Sequence, residues 1–171
     1  DLFTPSPFDQ DFVRSWMQRQ KDIHDWQLRY TQVFERQVYE INWKNHHDKI
    51  EFVHYDHKPM EKRTLTYLGF AIDTKGDIAV NKLLTISQRT TTKDFVDLYY
   101  LLKKDFTWWD LMNGVEHKFG IEIDKIYLSS LLTKVDQLDT MPIMKKKLSL
   151  ETLKKFFLEE ARRLASTMVK P

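Results

Sequence analysis

The chain has 171 residues, of which 42% are hydrophobic and 13% aromatic, enough for one sizeable hydrophobic core. No apolar run approaches the ~20 residues of a membrane-spanning helix, and 27 basic against 25 acidic side chains leave a formal charge of only +2. The absence of cysteine excludes disulfides, zinc fingers, iron–sulfur clusters and thiol nucleophiles. We therefore expect a soluble, cytoplasmic protein with no membrane partner and no bulk attraction to nucleic acid.

The start of the chain and its glycines bear on phosphate binding. DLFTPSPFDQ begins at Asp1 rather than methionine and lacks the features of a signal peptide, so we expect that an upstream segment has been removed. The only glycines are Gly69, Gly76, Gly114 and Gly120, which form neither GxGxxG nor a Walker loop. The common glycine-rich phosphate loops are therefore excluded within the chain.

The first predicted helix follows the prolines at positions 5 and 7. Asp9 or Asp11 is expected to cap it, and it is expected to continue to about Gln20. Its apolar face is predicted to contain Phe12, Trp16 and Ile23.

Three β-like runs come next, recognisable by alternation or by β-branched and aromatic residues. They are VFERQVYEINW, KIEFVHY and LTYLGFAI. We predict that they form a small mixed sheet within residues 1–76.

From Asp77 onward the apolar residues have helical spacing. Asp77 is expected to cap DIAVNKLLTIS, and Thr92 is expected to cap KDFVDLYYLLKK after the polar SQRTTT. Thr107 and Asp110 resemble a capping box for a third helix. Gly120 is expected to end that helix in the left-handed conformation.

Two further helices are predicted, a short one from Asp124 to Leu132 and a long one that begins at Ser149. The long helix is expected to bury residues spaced three or four apart, namely Leu150, Leu153, Phe157, Ala161, Leu164 and Met168. The predicted fold class is α+β, with a sheet-containing region at 1–76 and a helical region at 77–171.

The most informative polar residues lie near the second and third of these helices. Lys82 is on one predicted helix, and Asp94 and Asp97 are three apart at the start of the next, so that they share a face. Capping and solvation alone explain such carboxylates. The alternative is nucleotidyl transfer, with Lys82 on a triphosphate and Asp94 as base or positioning group. Glu51 in KIEFVHY is either a metal ligand or a solvent-facing strand carboxylate.

These segments resemble the nucleotidyltransferase AbiEii/AbiGii toxin family of bacterial abortive-infection and toxin–antitoxin systems. DLFTPSPFDQ is similar to the segment after that family's Gly-Gly-Thr/Ser motif, where an Asp-x-Asp pair leads into a Phe-Thr turn. KIEFVHYDHKPM resembles the strand with the third carboxylate, and MPIMKKKLSLETLKKFFLEEARRLA resembles the usual ending. The most specific segment is DIAVNKLLTISQRTTTKDFVDLYYLL, which is similar to the last family motif: a Lys, then a basic residue, Asp and a second Asp three later.

The resemblance implies a polymerase-beta-like nucleotidyltransferase core that uses Mg²⁺ to transfer a nucleoside monophosphate from an NTP to an acceptor. The acceptor is tRNA in some relatives; a protein acceptor and a cognate antitoxin are further expected partners. The resemblance assigns metal binding to Asp1 and Glu51 and a triphosphate contact to Lys82. It makes Asp94 the base or acceptor-positioning group, supported by Asp97.

Two departures from the family pattern leave a second interpretation open. The Gly-Gly-Thr/Ser motif and the first Asp of the pair do not precede Asp1, so we expect a fragment of a longer enzyme. Lys93, a predicted phosphate contact, stands where the family often has Arg and would lose a bidentate contact. The alternative is a non-catalytic relative that acts as a nucleic-acid or protein binding module.

If Asp94 is catalytic, Asp94→Ala is expected to abolish transfer and to change stability by less than about 1 kcal/mol, because a first-turn carboxylate contributes little to folding.

Three other clusters carry weaker signals. The histidines at 46, 47, 54 and 57 lack the helical spacing of HExxH, so we do not expect them to bind a metal. Trp108 falls on the apolar face of its predicted helix and is expected in the core rather than stacked on bases, and Lys145–Lys147 are expected in a solvated loop.

Overall fold

The computed structural model describes residues 1–166, and the chain divides into two compact units, Asp1–Lys58 and Pro59–Pro171. The fold class is mixed α+β, as predicted, with a sheet in the N-terminal half and helices in the C-terminal half. The division into units falls after Lys58, earlier than the change in hydrophobic spacing at residue 76.

The first unit consists of a four-stranded mixed sheet and one helix. The strands are β1 (Leu2–Thr4), β2 (Gln27–Val33), β3 (Arg36–Trp43) and β4 (His46–His54), and helix α1 (Gln10–His24) follows β1. The strand order is β1-β4-β3-β2; β1 runs parallel to β4, and the other neighbours are antiparallel. The predicted mixed sheet is therefore confirmed.

Helix α1 packs through Met17, which is fully buried beside Tyr39 and Ile41 of the sheet. Asp9 caps the helix, as one of the two predicted candidates, and its Oδ1 accepts a hydrogen bond from Phe12 N at 2.9 Å. Val13, one turn before Met17, packs against the same cluster. The predicted apolar face was wrong, since its residues are exposed: Phe12, Trp16 and Ile23.

The first β-like run is not one strand. Val33 ends β2 and Arg36 begins β3, with a turn at Phe34, whose φ is 51°. Strand β2 was not predicted, because this edge strand places only alternate side chains, such as Leu28 and Tyr30, against the small core and exposes the rest.

The run LTYLGFAI belongs to the second unit and does not join the sheet, so that part of the prediction was wrong. It forms a two-stranded hairpin of β5 (Thr66–Tyr67) and β6 (Phe70–Ala71). Leu68 and Gly69 form its turn with φ angles of 50° and 84°, the positive values that a type I′ turn requires.

The described part of the second unit, residues 59–166, is built mainly from five helices. They are α2 (Lys75–Gln88), α3 (Thr92–Lys104), α4 (Trp108–Phe119), α5 (Lys125–Thr133) and α6 (Leu150–Ser166), with a short 3₁₀ helix at Lys134–Gln137. They enclose one core that includes Phe95, Leu98, Leu111, Leu132 and Phe157. Trp108 is buried in this core, as predicted, with 5% of its surface exposed. Within residues 1–166, no helix is both long enough and apolar enough to cross a bilayer.

The helix ends were predicted to within a few residues. The capping box of Thr107 and Asp110 is confirmed, and Gly120 ends α4 with a φ of 67°. Helix α2 is capped by Thr74 instead of Asp77: Thr74 Oγ1 accepts from Asp77 N at 3.1 Å. Asp77 therefore lies in the first turn rather than at the cap.

The last two helices start where the sequence indicates. Asp124 caps α5, and Ser149 Oγ accepts from Thr152 N at 3.1 Å at the start of α6. The predicted apolar stripe of α6 is confirmed for the buried Leu153, Phe157, Ala161 and Leu164, with Leu150 partly buried. The remaining predicted member, Met168, lies outside the described residues.

Candidate functional site

The junction of α2 and α3 brings together three of the predicted site residues. Lys82 Nζ on α2 lies 2.8 Å from Asp94 Oδ1 and 2.7 Å from Asp97 Oδ2 on α3. The segment between the helices contributes Arg89 and Thr91, and Thr91 precedes α3 at the cap position predicted for Thr92. We call Lys82, Arg89, Thr91, Asp94 and Asp97 the Lys82 cluster.

Asp94 is the centre of the Lys82 cluster, and its side chain has no exposed surface. Arg89 Nε donates to Asp94 Oδ2 at 2.9 Å, Arg89 also reaches Oδ1 at 3.4 Å, and Thr91 Oγ1 donates to Oδ2. Burial opposes ionisation of Asp94, but the hydrogen bonds from Arg89, Lys82 and Thr91 outweigh it and lower the pKa to about 2. Asp94 is therefore a fixed, buried anion at neutral pH.

The other members of the Lys82 cluster reach solvent. The side chains of Lys82, Arg89 and Asp97 are 23%, 49% and 47% exposed. Burial disfavours the charged form of Lys82, yet its bonds to Asp94 and Asp97 raise the pKa of the ammonium above its ordinary value. The surface of the cluster thus presents two cationic side chains, Lys82 and Arg89, whose positions depend on their ion pairs with the buried Asp94.

This geometry separates the possible roles of the two aspartates. A general base works best with a pKa near the operating pH, so a carboxylate with a pKa of about 2 suits positioning of cations better than proton abstraction. Simple capping does not describe Asp94 either, because its oxygens are occupied by side-chain donors. Asp97 is the carboxylate that solvent and a ligand can reach.

The sequence analysis missed two members of the cluster, Arg89 and Thr91. The available signal was a basic residue in the polar segment SQRTTT, which joins two helices and so lies close to the start of the second. Lys93, the predicted phosphate contact, is exposed at the position before Asp94.

The first unit brings Asp1 and Glu51 together. In the parallel pairing of β1 and β4, Leu2 is opposite Phe52. Asp1 immediately precedes β1, and the same register continued by one residue places it beside Glu51, at the spacing of about 4.8 Å between neighbouring strands. The two predicted metal ligands are therefore neighbours at one end of β1.

Glu51 lies on the face of the sheet opposite α1, because side chains alternate along β4 and its neighbours Ile50 and Phe52 pack on the α1 side. It is only 6% exposed, which excludes the solvent-facing alternative. Arg36 NH1 lies 3.2 Å from its carboxylate, and Lys49 also pairs with it. Burial opposes ionisation, but the hydrogen bond and charge of Lys49 and the charge of Arg36 lower the pKa of Glu51.

The two sets of predicted site residues belong to different units. Asp1 and Glu51 are in Asp1–Lys58, whereas Lys82, Lys93, Asp94 and Asp97 are in Pro59–Pro171. Among residues 1–166, no three or more His, Asp or Glu side chains are grouped so that they could hold a metal ion. Asp1 and Glu51 are nevertheless oxygen donors of the kind that Mg²⁺ prefers, and Mg²⁺ is commonly held by one or two carboxylates with water and substrate phosphates.

A second buried ion pair joins α2 to α4. Asp77 and Lys118 are 0% and 1% exposed, with Nζ 2.6 Å from Oδ1. Met60 N also donates to Asp77 Oδ1 at 3.0 Å, and Thr74 Oγ1 donates to Oδ2 at 3.0 Å. Burial opposes ionisation of Asp77, but Lys118, Met60 and Thr74 lower its pKa. This pair contributes to the fold and offers no surface to a ligand.

Comparison of this chain with protein-family models, curated proteins and solved structures finds no match. Its functional interpretation therefore depends on its own residues, their geometry and the resemblance of their motifs.

Proposed function

We propose that this protein is a nucleotidyltransferase that transfers a nucleoside monophosphate from an NTP to an acceptor such as tRNA or a protein. It would act as the toxin-like component of a bacterial toxin–antitoxin or abortive-infection system. The observation that supports this best is the position of Lys82, whose ammonium lies between Asp94 and Asp97 at the surface of two helices. The lysine of the last motif thus contacts both of its aspartates.

In this proposal Lys82 and Arg89 bind the triphosphate. Both are partly exposed, and both are oriented by the buried Asp94. A phosphate oxygen that replaces Asp97 at Lys82 would form a charge-assisted hydrogen bond without moving the ammonium away from Asp94. Asp97, once released, is the exposed carboxylate available to orient the acceptor hydroxyl.

Mg²⁺ would be held by Asp1 and Glu51 of the first unit, since hard carboxylate donors suit this ion. In nucleotidyl transfer such an ion neutralises the charge that develops on the phosphates. Lys49 and Arg36 now balance the charge of Glu51, and they keep this carboxylate ionised until a cation replaces them.

The test uses the full-length protein with each α-labelled NTP in turn, Mg²⁺ and total RNA, and then with protein acceptors. Lys82→Met is expected to lower transfer about 100-fold, the usual effect of removing one preorganised electrostatic contact. The matched control is Lys75→Met, because Lys75 also forms an ion pair between α2 and the end of α3, with Asp105 at 2.9 Å. Its transfer rate should equal that of the unmodified protein.

Absence of label transfer to both RNA and protein would refute the proposal and favour the non-catalytic binding module. Equal losses in Lys82→Met and Lys75→Met would also count against it, because they would show that helix pairing, rather than a phosphate contact, limits the activity.

A further inference from the structure

A cleft of about 460 Å³ opens in the second unit where α3 ends and α4 and α5 begin, against the second half of α6. Its apolar wall includes Phe106, Trp109, Met112 and Phe156. Ligand pockets commonly have volumes of ~300–1,000 Å³ with a mostly apolar lining and a few polar groups. We call this the Trp109 cleft, after its most exposed aromatic residue, which is 57% exposed.

The charged side chains of the Trp109 cleft are mostly basic. Lys103, Lys125 and Arg163 line it together with one acid, Glu160. Glu160 Oε2 already accepts from Arg163 at 2.6 Å and from the buried Trp108 Nε1 at 2.8 Å. Glu160 and Arg163 therefore neutralise each other, and Lys103 and Lys125 leave the cleft with an excess of positive charge for a ligand.

The cations of the cleft lie against its aromatic rings. Lys125 Nζ is 5.0 Å from the ring centroid of Trp109, and Lys103 Nζ is 4.8 Å from that of Phe156. Such contacts hold the long lysine side chains near the ring faces. A ligand that carries an anion directly beside a planar ring would meet a cation and an aromatic surface at the same time.

We propose that the Trp109 cleft binds a nucleotide unit, with the base among the aromatic side chains and the phosphate at Lys103 and Lys125. Bases stack on exposed tryptophan with little dependence on sequence, and lysine and arginine neutralise the phosphates. An acidic peptide would satisfy the cations but would leave the aromatic wall without a planar partner. The charge and the shape of the cleft therefore favour a nucleotide.

The cleft is separate from the Lys82 cluster, and its ligand does not depend on the proposed transfer reaction. Asp94 lies in the first turn of α3 and Lys103 in the last. At the helical rise of 1.5 Å per residue, their backbones are roughly 13 Å apart along the axis. Binding in the cleft and transfer at the cluster are measured by different assays on different variants.

Binding is tested by fluorescence anisotropy of a fluorescein-labelled single-stranded RNA 12-mer added to the full chain. Trp109→Ala is expected to raise the Kd at least about fivefold, the lower limit for loss of one base stack. Lys125→Met is expected to weaken binding and to reduce the slope of log Kd against log salt by about 0.7, the loss of one phosphate contact.

The matched control is Trp43→Ala. Trp43 in the first unit is also exposed, at 38%, and Lys44 lies over its ring at 6.0 Å. It is an exposed tryptophan with a nearby lysine but is not part of the cleft, so its loss should leave the Kd within twofold. Circular dichroism spectra of all variants should match that of the unmodified protein, because Trp109 and Lys125 lie at the surface.

Competitors distinguish the source of the nucleotide. Displacement of the probe by millimolar UMP or AMP supports a free mononucleotide, and displacement by unlabelled RNA alone supports a nucleotide within a chain. Equal displacement by inorganic polyphosphate and RNA would overturn the proposal, because no base would then be recognised. Equal Kd values for Trp109→Ala and Trp43→Ala, stronger competition by an acidic peptide, or no RNA binding at all would overturn it too.

Discussion

Replacing Asp94 by asparagine is expected to destabilise the protein by about 2 kcal/mol at pH 7. The carboxylate has no exposed surface, and its pKa is lowered from 3.8 to about 2 by donors that outweigh its burial. Each pKa unit corresponds to about 1.36 kcal/mol, so a shift of nearly two units gives about 2 kcal/mol of preferential stabilisation of the ionised form. This replaces the expectation of less than about 1 kcal/mol, which assumed a solvated first-turn carboxylate.

The pH dependence has a definite sign. Because the pKa of Asp94 is lower in the folded than in the unfolded state, its contribution is fully present above the unfolded value of about 3.8. It is lost as the pH falls from about 4 towards 2, where the folded carboxylate takes up its proton. The difference in unfolding free energy between the protein and Asp94→Asn should therefore be largest near neutral pH and decrease below pH 4.

Urea denaturation followed by circular dichroism at 222 nm measures this difference, since most of the helical residues are in the second unit. Asp105→Asn is the matched control: Asp105 also pairs with a lysine of α2, but Lys75 is 68% exposed, and such surface pairs contribute about 0–1 kcal/mol. Equal stability of Asp94→Asn and the unmodified protein at pH 7, or a difference that does not decrease in acid, would show that the ionised Asp94 does not stabilise the fold.

Two further predictions concern the packing of α4. Lys118→Met is expected to lower the unfolding free energy by about 3 kcal/mol or more, because it leaves Asp77 buried without its cation, and adding Asp77→Asn should recover part of the loss. Gly114→Ala should be destabilising by about 1–3 kcal/mol, although alanine normally favours a helix, because the new Cβ overlaps Val80 Cγ2. Urea midpoints measure both effects. An unchanged midpoint for Lys118→Met, or a Gly114→Ala loss that Val80→Ala fails to reduce, would contradict these interpretations.

Local sequence signals predicted the helical unit well. The helix-end signals act through hydrogen bonds or backbone angles within a few residues: the capping box of Thr107 and Asp110, the C-cap Gly120 and the N-cap Ser149. The amino-acid sequence alone therefore indicates where these helices begin and end. Local signals did not predict the buried face of α1. The spacing of Phe12, Trp16 and Ile23 indicated an apolar helix face, but the sheet does not cover that face and the three side chains are exposed.

The candidate site was predictable only in part. The i, i+3 spacing of Asp94 and Asp97 places them on one face of α3 whatever surrounds the helix. The burial of Asp94 and its hydrogen bond from Arg89 depend on the path of the polar segment SQRTTT between α2 and α3. Hydrophobic periodicity does not predict the path of such a segment. The functional assignments themselves remain predictions that the transfer and binding assays test.

The fold class, most of the helix ends and the residue types available for phosphate chemistry were predictable from the sequence, because composition and short-range hydrogen bonding are local properties of the chain. Which charges are buried is visible only in the folded chain, where Asp94 lies beneath Lys82 and Asp77 lies against Lys118. Folding also brings aromatic rings and lysines from four helices to the lining of a single cleft. These features join residues that are distant in the chain, and their energies depend on removal from water, which is set by packing rather than by spacing.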